Sequence, residues 1–333
     1  MDCRPRARDE AASVVLCALA LSGCSGVQSA LDPQSDAARE IGALFWTMTA
    51  AGAVIFVAFM ALALHAARTR AEPWTPERAH KLIVIGAVVA PTLLLAALLV
   101  HGLRMLPAQL APAPPGSMRI RVTGLQYWWR VRYEPPDGAP FETANELRLP
   151  VNRPVQLVLD SPDVIHSFWV PSLTGKMDMI PGRTTRLVLH PTRTGTYRGA
   201  CAEYCGTSHA WMAFTVVVQE DADFARWTAR QREAAREPES AQATAGRAAF
   251  LESGCGACHG LRGTAARGVL GPDLTHVGGR LSVGAGRLPH GAQALADFIT
   301  RTEQLKPGVH MPAFGMLPAP TIDALAAYLE GLE

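Results

Sequence analysis

The chain has 333 residues, of which 49% are hydrophobic and 18% are charged, and its formal net charge is only +2. This composition excludes an intrinsically disordered chain, and the near-neutral charge argues against a general nucleic-acid-binding protein. The length predicts two or three domains.

The N-terminus has the features of an export signal. Three arginines precede an apolar run from Ala11 to Leu21, which is too short to span a bilayer, and a signal peptide is therefore predicted over residues 1–23. The sequence Leu21-Ser22-Gly23-Cys24 resembles a bacterial lipoprotein cleavage box, and this resemblance implies that Cys24 is the lipidated first residue of the mature chain. An uncleaved and unmodified leader is the alternative.

Residues 24–105 contain two long apolar segments, 41–67 and 82–103, that have no Asp, Glu, Lys or Arg. Each segment is long enough to cross a hydrocarbon core of about 30 Å as a helix, so a transmembrane hairpin is predicted. The connection is rich in arginine and lysine, which by the positive-inside rule predicts that it is cytoplasmic. The chain beyond residue 105 is then expected in a periplasm-like compartment.

Residues 106–220 carry short alternating or β-branched runs, such as "VQLVLD" and "MAFTVVV", separated by Gly, Pro, Asp and Asn. This pattern predicts an all-β sandwich or barrel. Residues 221–242 are charged and permissive of helix, and no apolar face is evident, so they are expected to form a partly helical linker. Residues 243–333 show helical spacing of apolar residues between glycine-rich loops, which predicts a small all-α domain.

The all-α domain contains Cys255-Gly-Ala-Cys258-His259, the pattern of covalent haem c attachment. Two thiols in this pattern bind the porphyrin, and the adjacent imidazole is an axial ligand of the iron. A thioredoxin-like redox pair is the main alternative, but the helical context lacks the βαβ pattern expected around such a pair.

A sixth iron ligand is offered by "LKPGVHMPAFGML", which contains His310, Met311 and Met316. The stretch resembles the distal loop of class I cytochromes c, and the resemblance implies that Met311 is the axial ligand. His310 remains an alternative, and Met316 is expected to serve packing. His276 and His290 are expected to be exposed loop residues, and His190 a surface residue at a strand end.

The stretch "CAEYCGTSHAWM", residues 201–212, concentrates ligand types in the β region. A Cys-x3-Cys pair followed by a histidine is compatible with a disulfide, a zinc site or a copper site. The thioether of Met212 favours copper over zinc, and two thiolates favour two copper ions over the single ion of a blue-copper site. Such a site needs a second histidine from elsewhere, for which His166 is the candidate.

Residues 163–183 and 201–212 resemble the CuA domain of cytochrome c oxidase subunit II, a family with a cupredoxin sandwich anchored by two transmembrane helices. The resemblance implies that Cys201 and Cys205 bridge two copper ions. It further implies that His166 and His209 are terminal ligands, and that Met212 and the backbone carbonyl of Glu203 are the axial donors. The Glu203 side chain is expected to help bind Mg²⁺ at the interface with subunit I.

Two positions depart from the family pattern. The aromatic residue at which electrons enter is usually tryptophan, and here that position falls on Tyr127, followed by Trp128 in "GLQYWWRVRY". These aromatic residues are candidates for a relay or for strand packing. A carboxylate expected near the start of the second membrane helix is missing, so no proton-uptake residue is assigned.

The predicted architecture is therefore a multidomain membrane protein with a two-helix hairpin, a cupredoxin sandwich and a fused cytochrome c domain. The resemblance implies the electron-input subunit of a caa-type oxidase in a bacterial plasma membrane, with a periplasmic cytochrome c or a quinol–cytochrome c reductase complex as donor. The partners are subunit I, which holds haem a, haem a3 and CuB, and subunit III. The input subunit of a CuA-type nitric oxide reductase and a tethered copper-delivery protein are the alternatives.

Overall fold

The computed structural model describes residues 25–68 and 75–333, and they fall into two compact units. One unit is residues 40–111, and the other contains the segment up to Arg39 together with Pro112–Glu333. The predicted signal peptide and Cys24 lie outside the described residues.

The first unit consists of long apolar helices. Helix α1 is Asp36–Arg68, and the second rod runs through α2 (Pro76–Ile83), a π-helical stretch (Val84–Val89) and α3 (Ala90–Leu110). Both are long and apolar enough to cross a membrane, and most of their apolar side chains are not covered by other parts of the chain. An apolar helix with no protein core around it is what a lipid-facing segment requires. Helix α1 begins five residues before its predicted span and ends one residue after it, and the second helical segment extends six and seven residues beyond its predicted span.

Ten strands form two five-stranded sheets in the larger unit. They are β1 Met118–Leu125, β2 Trp128–Glu134, β3 Phe141–Ala144, β4 Glu146–Pro150, β5 Val155–Asp160, β6 His166–Trp169, β7 Met177–Met179, β8 Thr185–Leu189, β9 Gly195–Cys201 and β10 Ala213–Gln219. The strand orders are β3-β2-β1-β5-β8 and β4-β10-β9-β6-β7. Buried side chains from both sheets form one hydrophobic core, which makes the predicted sandwich.

The second sheet sets the position of the sequence motifs. Strand β9 ends at Cys201, β10 begins directly after Met212, and β6 begins at His166. Because β6 pairs with β9 through Phe168 and Cys201, the histidine reaches the end of the sheet from which the loop 201–212 leaves. We call this segment the cysteine loop.

The predicted linker, residues 221–242, is partly helical as expected, but its helix has an apolar face that was not expected. Helix α4 (Asp221–Arg230) buries Phe224 and Trp227 in the sandwich core. The Trp227 ring lies 5.1 Å from the Tyr133 ring and 5.6 Å from the Phe141 ring. An apolar face of two aromatic residues on one helical turn is enough to anchor a short helix, although it is too brief for a periodicity signal.

The C-terminal part is the predicted all-α domain. Its elements are α5 Ala241–Glu252, α6 Cys255–Cys258, the short strands β11 Ser282–Val283 and β12 Leu288–Pro289, and the helices α7 Ala292–Thr300, α8 Thr302–Leu305 and α9 Ala319–Glu330. Helices α5 and α9 pack closely because Gly246 lies against the backbone of Ala324, where any side chain would clash. The core is formed by Phe250, Leu325, Tyr328 and their neighbours.

Candidate metal centres

The cysteine loop brings its two thiols together in a buried position. The sulfur atoms of Cys201 and Cys205 are 3.9 Å apart, far beyond the roughly 2 Å of a disulfide bond. Both side chains are buried, and the hydrogen bond with Cys205 lowers the pKa of the Cys201 thiol. This favours thiolate formation at Cys201, and a thiolate is the form that binds a metal.

Further donors surround the two sulfur atoms. Nδ1 of His166 is 3.8 Å from the Cys201 sulfur, and Nδ1 of His209 is 3.6 Å from the Cys205 sulfur. The thioether sulfur of Met212 lies 3.7 Å from Cys205, and the carbonyl oxygen of Glu203 is 3.2 Å from Cys201. All six predicted copper donors thus meet at one place. The arrangement is divided, with one imidazole and one weak donor beside each sulfur.

Asp163 and Gly124 hold His166 in position. The Asp163 carboxylate contacts Nε2 of His166 at 2.9 Å and accepts backbone hydrogen bonds from Gln126 and Val164 at 2.7 and 2.6 Å. Burial is the largest single influence on the pKa of His166 and lowers it, but the hydrogen bonds and charges of Asp163 and Cys201 together outweigh it and raise the pKa of the imidazole to about 9. A Cβ on Gly124 would lie 2.9 Å from the ring, so glycine leaves the space for it. Neither residue was predicted from the sequence, although an acid three residues before the histidine is a local signal.

This donor set fits copper. Among the described residues, the ligand atoms of His166, Cys201 and Cys205 lie within 4.8 Å of one another. A set of soft thiolates, a thioether and imidazoles suits copper better than zinc. Two thiolate sulfur atoms can also each be shared between two copper ions.

The Glu203 side chain points away from these sulfur atoms. Its carboxylate is 3.3 Å from the Lys176 ammonium, which also contacts Asp178 at 3.2 Å. Both carboxylates are nearly half exposed, and the Lys176 ammonium bridges them at the surface. The predicted magnesium ligand is therefore accessible to a partner.

The haem attachment motif begins at helix α6 in the C-terminal domain. Nδ1 of His259 donates to the carbonyl oxygen of Pro272 over 2.8 Å, which fixes the ring and reserves Nε2 for a metal. Burial lowers the pKa of His259, so the imidazole is in the neutral form that binds iron. Gly271 lets the chain approach the ring, since a Cβ there would lie 2.5 Å from Cε1. The cysteines of the motif are free and partly accessible.

The methionines of the distal loop are in different surroundings. Met311 packs against the core of the domain, whereas Met316 is 76% exposed and His310 is exposed too. A second feature fits a haem: the guanidinium of Arg280 is buried, and its Nε atom has no partner among the described residues. A buried cation with an unused donor suits an anionic group such as a haem carboxylate. Arg280 was not identified from the sequence.

Comparison with known proteins finds two family models that match separate parts of the chain. Residues 133–220 match the model of the cytochrome c oxidase subunit II periplasmic domain, and residues 241–329 match that of subunit III of the cbb3-type oxidase. Cytochrome c oxidase subunit 2 of Alkalihalophilus pseudofirmus is 33% identical, in an alignment covering 95% of this chain and 94% of the relative. The chain belongs to the cytochrome c oxidase subunit 2 family.

Two further relatives match parts of this chain. Subunit 2 of Bacillus sp. strain PS3 is 34% identical and covers 64% of this chain and 62% of its own. The solved periplasmic domain of subunit II from Bradyrhizobium japonicum is 32% identical, covers 36% of this chain and 97% of its own, and superposes with a TM-score of 0.34.

Family membership confirms several predictions. The chain is the electron-input subunit of a haem–copper oxidase, a membrane protein that binds copper and haem c and works with subunit I. A copper-delivery protein with an incidental haem domain does not fit a relative that matches over nearly the whole chain.

The remaining predicted residues have mixed outcomes. Tyr127 is buried at 5% exposure beside the cysteine loop, while Trp128 is half-buried with the Arg130 guanidinium 5.1 Å from its ring. His190 lies just beyond β8 and pairs with Asp36 at the surface, as expected.

The prediction of exposed loop positions for two histidines was wrong. His276 is buried, and its ring nitrogens contact the carbonyl oxygens of Glu333 and Glu233 at 3.0 and 3.2 Å. His290 is half-buried, with Nδ1 enclosed and without a partner among the described residues. Distant parts of the chain cover the His276 ring, and loop composition does not reveal such contacts.

Proposed function

We propose that electrons pass from a periplasmic donor to haem c, then to a dinuclear copper centre of the CuA type, and on to haem a of subunit I, where oxygen is reduced. The copper ligands are His166, Cys201, Cys205, His209, Met212 and the carbonyl of Glu203. The haem is bound by Cys255 and Cys258, with His259 and Met311 as axial ligands. The domains beyond residue 105 lie on the outer side of a bacterial plasma membrane.

The observation that carries this proposal is the convergence of four further donor atoms on a thiol pair. Each sulfur has one imidazole nitrogen and one weak donor close to it, at 3.2 to 3.8 Å. A blue-copper site of one ion takes a single thiolate and would leave the other buried thiol without a metal, where unpartnered polar groups are costly. Two copper ions use both thiolates.

The protein residues supply rigidity. When bound, a bridged copper pair accepts one electron with little change at either ion. Asp163 keeps His166 oriented, and the sandwich end fixes Cys201 and Met212 through the hydrogen bond from Cys201 N to Met212 O, 3.0 Å. In the haem domain, the Pro272 carbonyl has the corresponding role for His259.

Three further assignments belong to the proposal. The exposed Glu203 carboxylate binds Mg²⁺ together with groups of subunit I, and Lys176 releases it on assembly. Subunit III is an additional partner. Cleavage of the leader leaves Cys24 as a lipidated N-terminus.

Electron paramagnetic resonance of the purified, copper-loaded chain tests the copper assignment. The proposal expects one unpaired electron coupled equally to two copper nuclei. Cys205→Ser is expected to give a spectrum of a single nucleus, and Arg153→Ala, a change at an exposed ion pair of the same domain, is expected to keep the dinuclear spectrum. Coupling to one nucleus in the unmodified chain would overturn the assignment.

A further inference from the structure

The haem domain lies directly on the cysteine loop. The Ser208 hydroxyl, next to His209, donates to the carbonyl oxygen of Pro307 over 2.6 Å. A Cβ on Gly308 would lie 3.6 Å from the Tyr127 ring and 3.7 Å from Thr207. Val309 packs against the hydrophobic core of the sandwich. The segment 306–309, which immediately precedes His310 and Met311, therefore covers the cysteine loop.

A second contact joins the haem domain to the cysteine loop at Trp211, three residues after Ser208. The Arg287 guanidinium stacks on the Trp211 ring, 4.1 Å from its centre, and Nε of Arg287 donates to the carbonyl oxygen of Leu305 over 2.8 Å. The Ala213 amide donates to the carbonyl oxygen of Ala285 over 3.1 Å. Arg287 thus connects the covering segment and the cysteine loop, and it is not a candidate ligand of either metal.

Two more hydrogen bonds extend the contact away from the metal loops. The buried Glu146 carboxylate accepts from the Leu281 amide over 3.0 Å while it also pairs with Arg148. Arg130 donates to the carbonyl oxygen of Val269 over 2.5 Å. Hydrogen bonds at several separate points, one of them to the buried Glu146 carboxylate, are typical of a stable interface.

We propose that the haem domain is held on the copper face of the sandwich as a permanent partner, and that Arg287 and Ser208 are positioning residues of this interface. The proposal rests on the proposed function, because it names which surface delivers electrons to the copper centre. The surface around Tyr127 is occupied by residues 306–309, so a soluble donor reaches only the haem domain. This explains why position 127 need not be the tryptophan that is usual in the family. Tyr127 contacts Gly206 and Gly308 of its own chain and does not face an external donor.

Tyr127 lies between the two loops. A Cβ on Gly206 of the cysteine loop would lie 2.5 Å from the tyrosine hydroxyl, and Gly308 approaches the same ring from the other side. The neighbouring Gln126 donates to the carbonyl oxygen of Cys205 over 2.6 Å. With 5% of its surface exposed, Tyr127 offers nothing to an external protein unless the haem domain first moves away.

Hydrogen exchange of the full-length, metal-loaded protein tests the interface without depending on oxidase activity. Peptides covering residues 206–216 and 277–289 contain the amides of Ala213 and Leu281, which are bonded across the interface. In Arg287→Glu, the loss of the cation–π contact is expected to accelerate their exchange by about two- to thirtyfold. Arg287→Lys keeps the cation and is expected to restore most of the protection.

Arg301→Glu is the matched control, because Arg301 pairs with Asp297 within the haem domain. Ser208→Ala removes only the bond to Pro307 and is an independent test if the charge reversal perturbs folding. Unchanged exchange in both Arg287→Glu and Ser208→Ala, or equal acceleration in the control, would overturn the proposal.

Stopped-flow mixing with reduced soluble cytochrome c adds a functional measurement. Haem c is expected to be reduced first, and the copper absorption to follow; copper reduction that precedes haem reduction would contradict the interface. If copper is never reduced in the unmodified protein, the proposed function is wrong, whereas the exchange data still decide whether the domains are joined as described.

Discussion

Lys306 is a buried cation in the segment that covers the cysteine loop. Its side chain is 2% exposed and donates to the carbonyl oxygen of Gly284 over 2.8 Å. Burial lowers the pKa of this ammonium from 10.5 to about 7, although the nearby Cys205 acts in the opposite direction. We predict that Lys306→Met stabilises the haem domain, because methionine fills a similar volume without a charge to desolvate.

The magnitude follows from the two pKa values. The unfolded chain binds a proton below about pH 10.5 and the folded chain only below about pH 7, so the lysine destabilises the fold progressively as the pH falls between them. The cost is about 4 kcal/mol at pH 7 and about 1.4 kcal/mol at pH 9.5. The lost hydrogen bond to Gly284 is worth about 1 kcal/mol. Lys306→Met is therefore expected to gain about 3 kcal/mol at pH 7 and almost nothing at pH 9.5.

Urea unfolding of the full chain, followed by haem absorption, measures this difference at the two pH values. Arg301→Met removes an exposed cation of the same domain and is expected to change the free energy of unfolding by less than about 0.5 kcal/mol at both. A variant Lys306→Met that is less stable than the wild type at pH 7, or whose gain does not shrink at alkaline pH, would refute the reasoning.

Three further substitutions test the site and the fold. Trp227→Ala should lower the free energy of unfolding by about 3–5 kcal/mol, because it leaves a cavity in an aromatic cluster. Arg226→Ala, on the exposed face of the helix, should have little effect. Equal urea midpoints for the two variants would show that helix α4 is only a linker. Asp163→Asn should weaken copper binding about 10- to 100-fold in competition titrations, and Asp160→Asn, whose carboxylate pairs elsewhere, should leave it unchanged. Met311→Leu should abolish the thioether-to-iron absorption band and lower the haem potential; a band that survives would exclude this ligand.

Most of the site could be predicted because its residues are close together in the chain. Cysteine, histidine and methionine within the twelve residues of the cysteine loop specify the chemistry before any fold is known, and the haem attachment motif is equally compact. His166 is more distant, and the pairing of β6 with β9 brings it to the sulfur atoms. The family resemblance supplied this residue, which spacing alone does not.

Other features could not be read from the chain. The supporting roles of Asp163 and Arg280 depend on which buried groups surround them, and the burial of His276 depends on carbonyl groups at Glu233 and Glu333. Helix α4 has only two aromatic anchors, too few to distinguish a packed helix from a linker by periodicity.

The sequence by itself determined the metals and the order of the domains, because ligand chemistry and hydrophobic patterning act over short stretches of chain. Only the tertiary structure decided that the haem domain covers the cysteine loop and buries Tyr127. The contacts between Ser208 and Pro307 and between Trp211 and Arg287 join residues 76 to 99 positions apart. Such pairs are selected by the shape and charge of two finished surfaces, which no local pattern encodes.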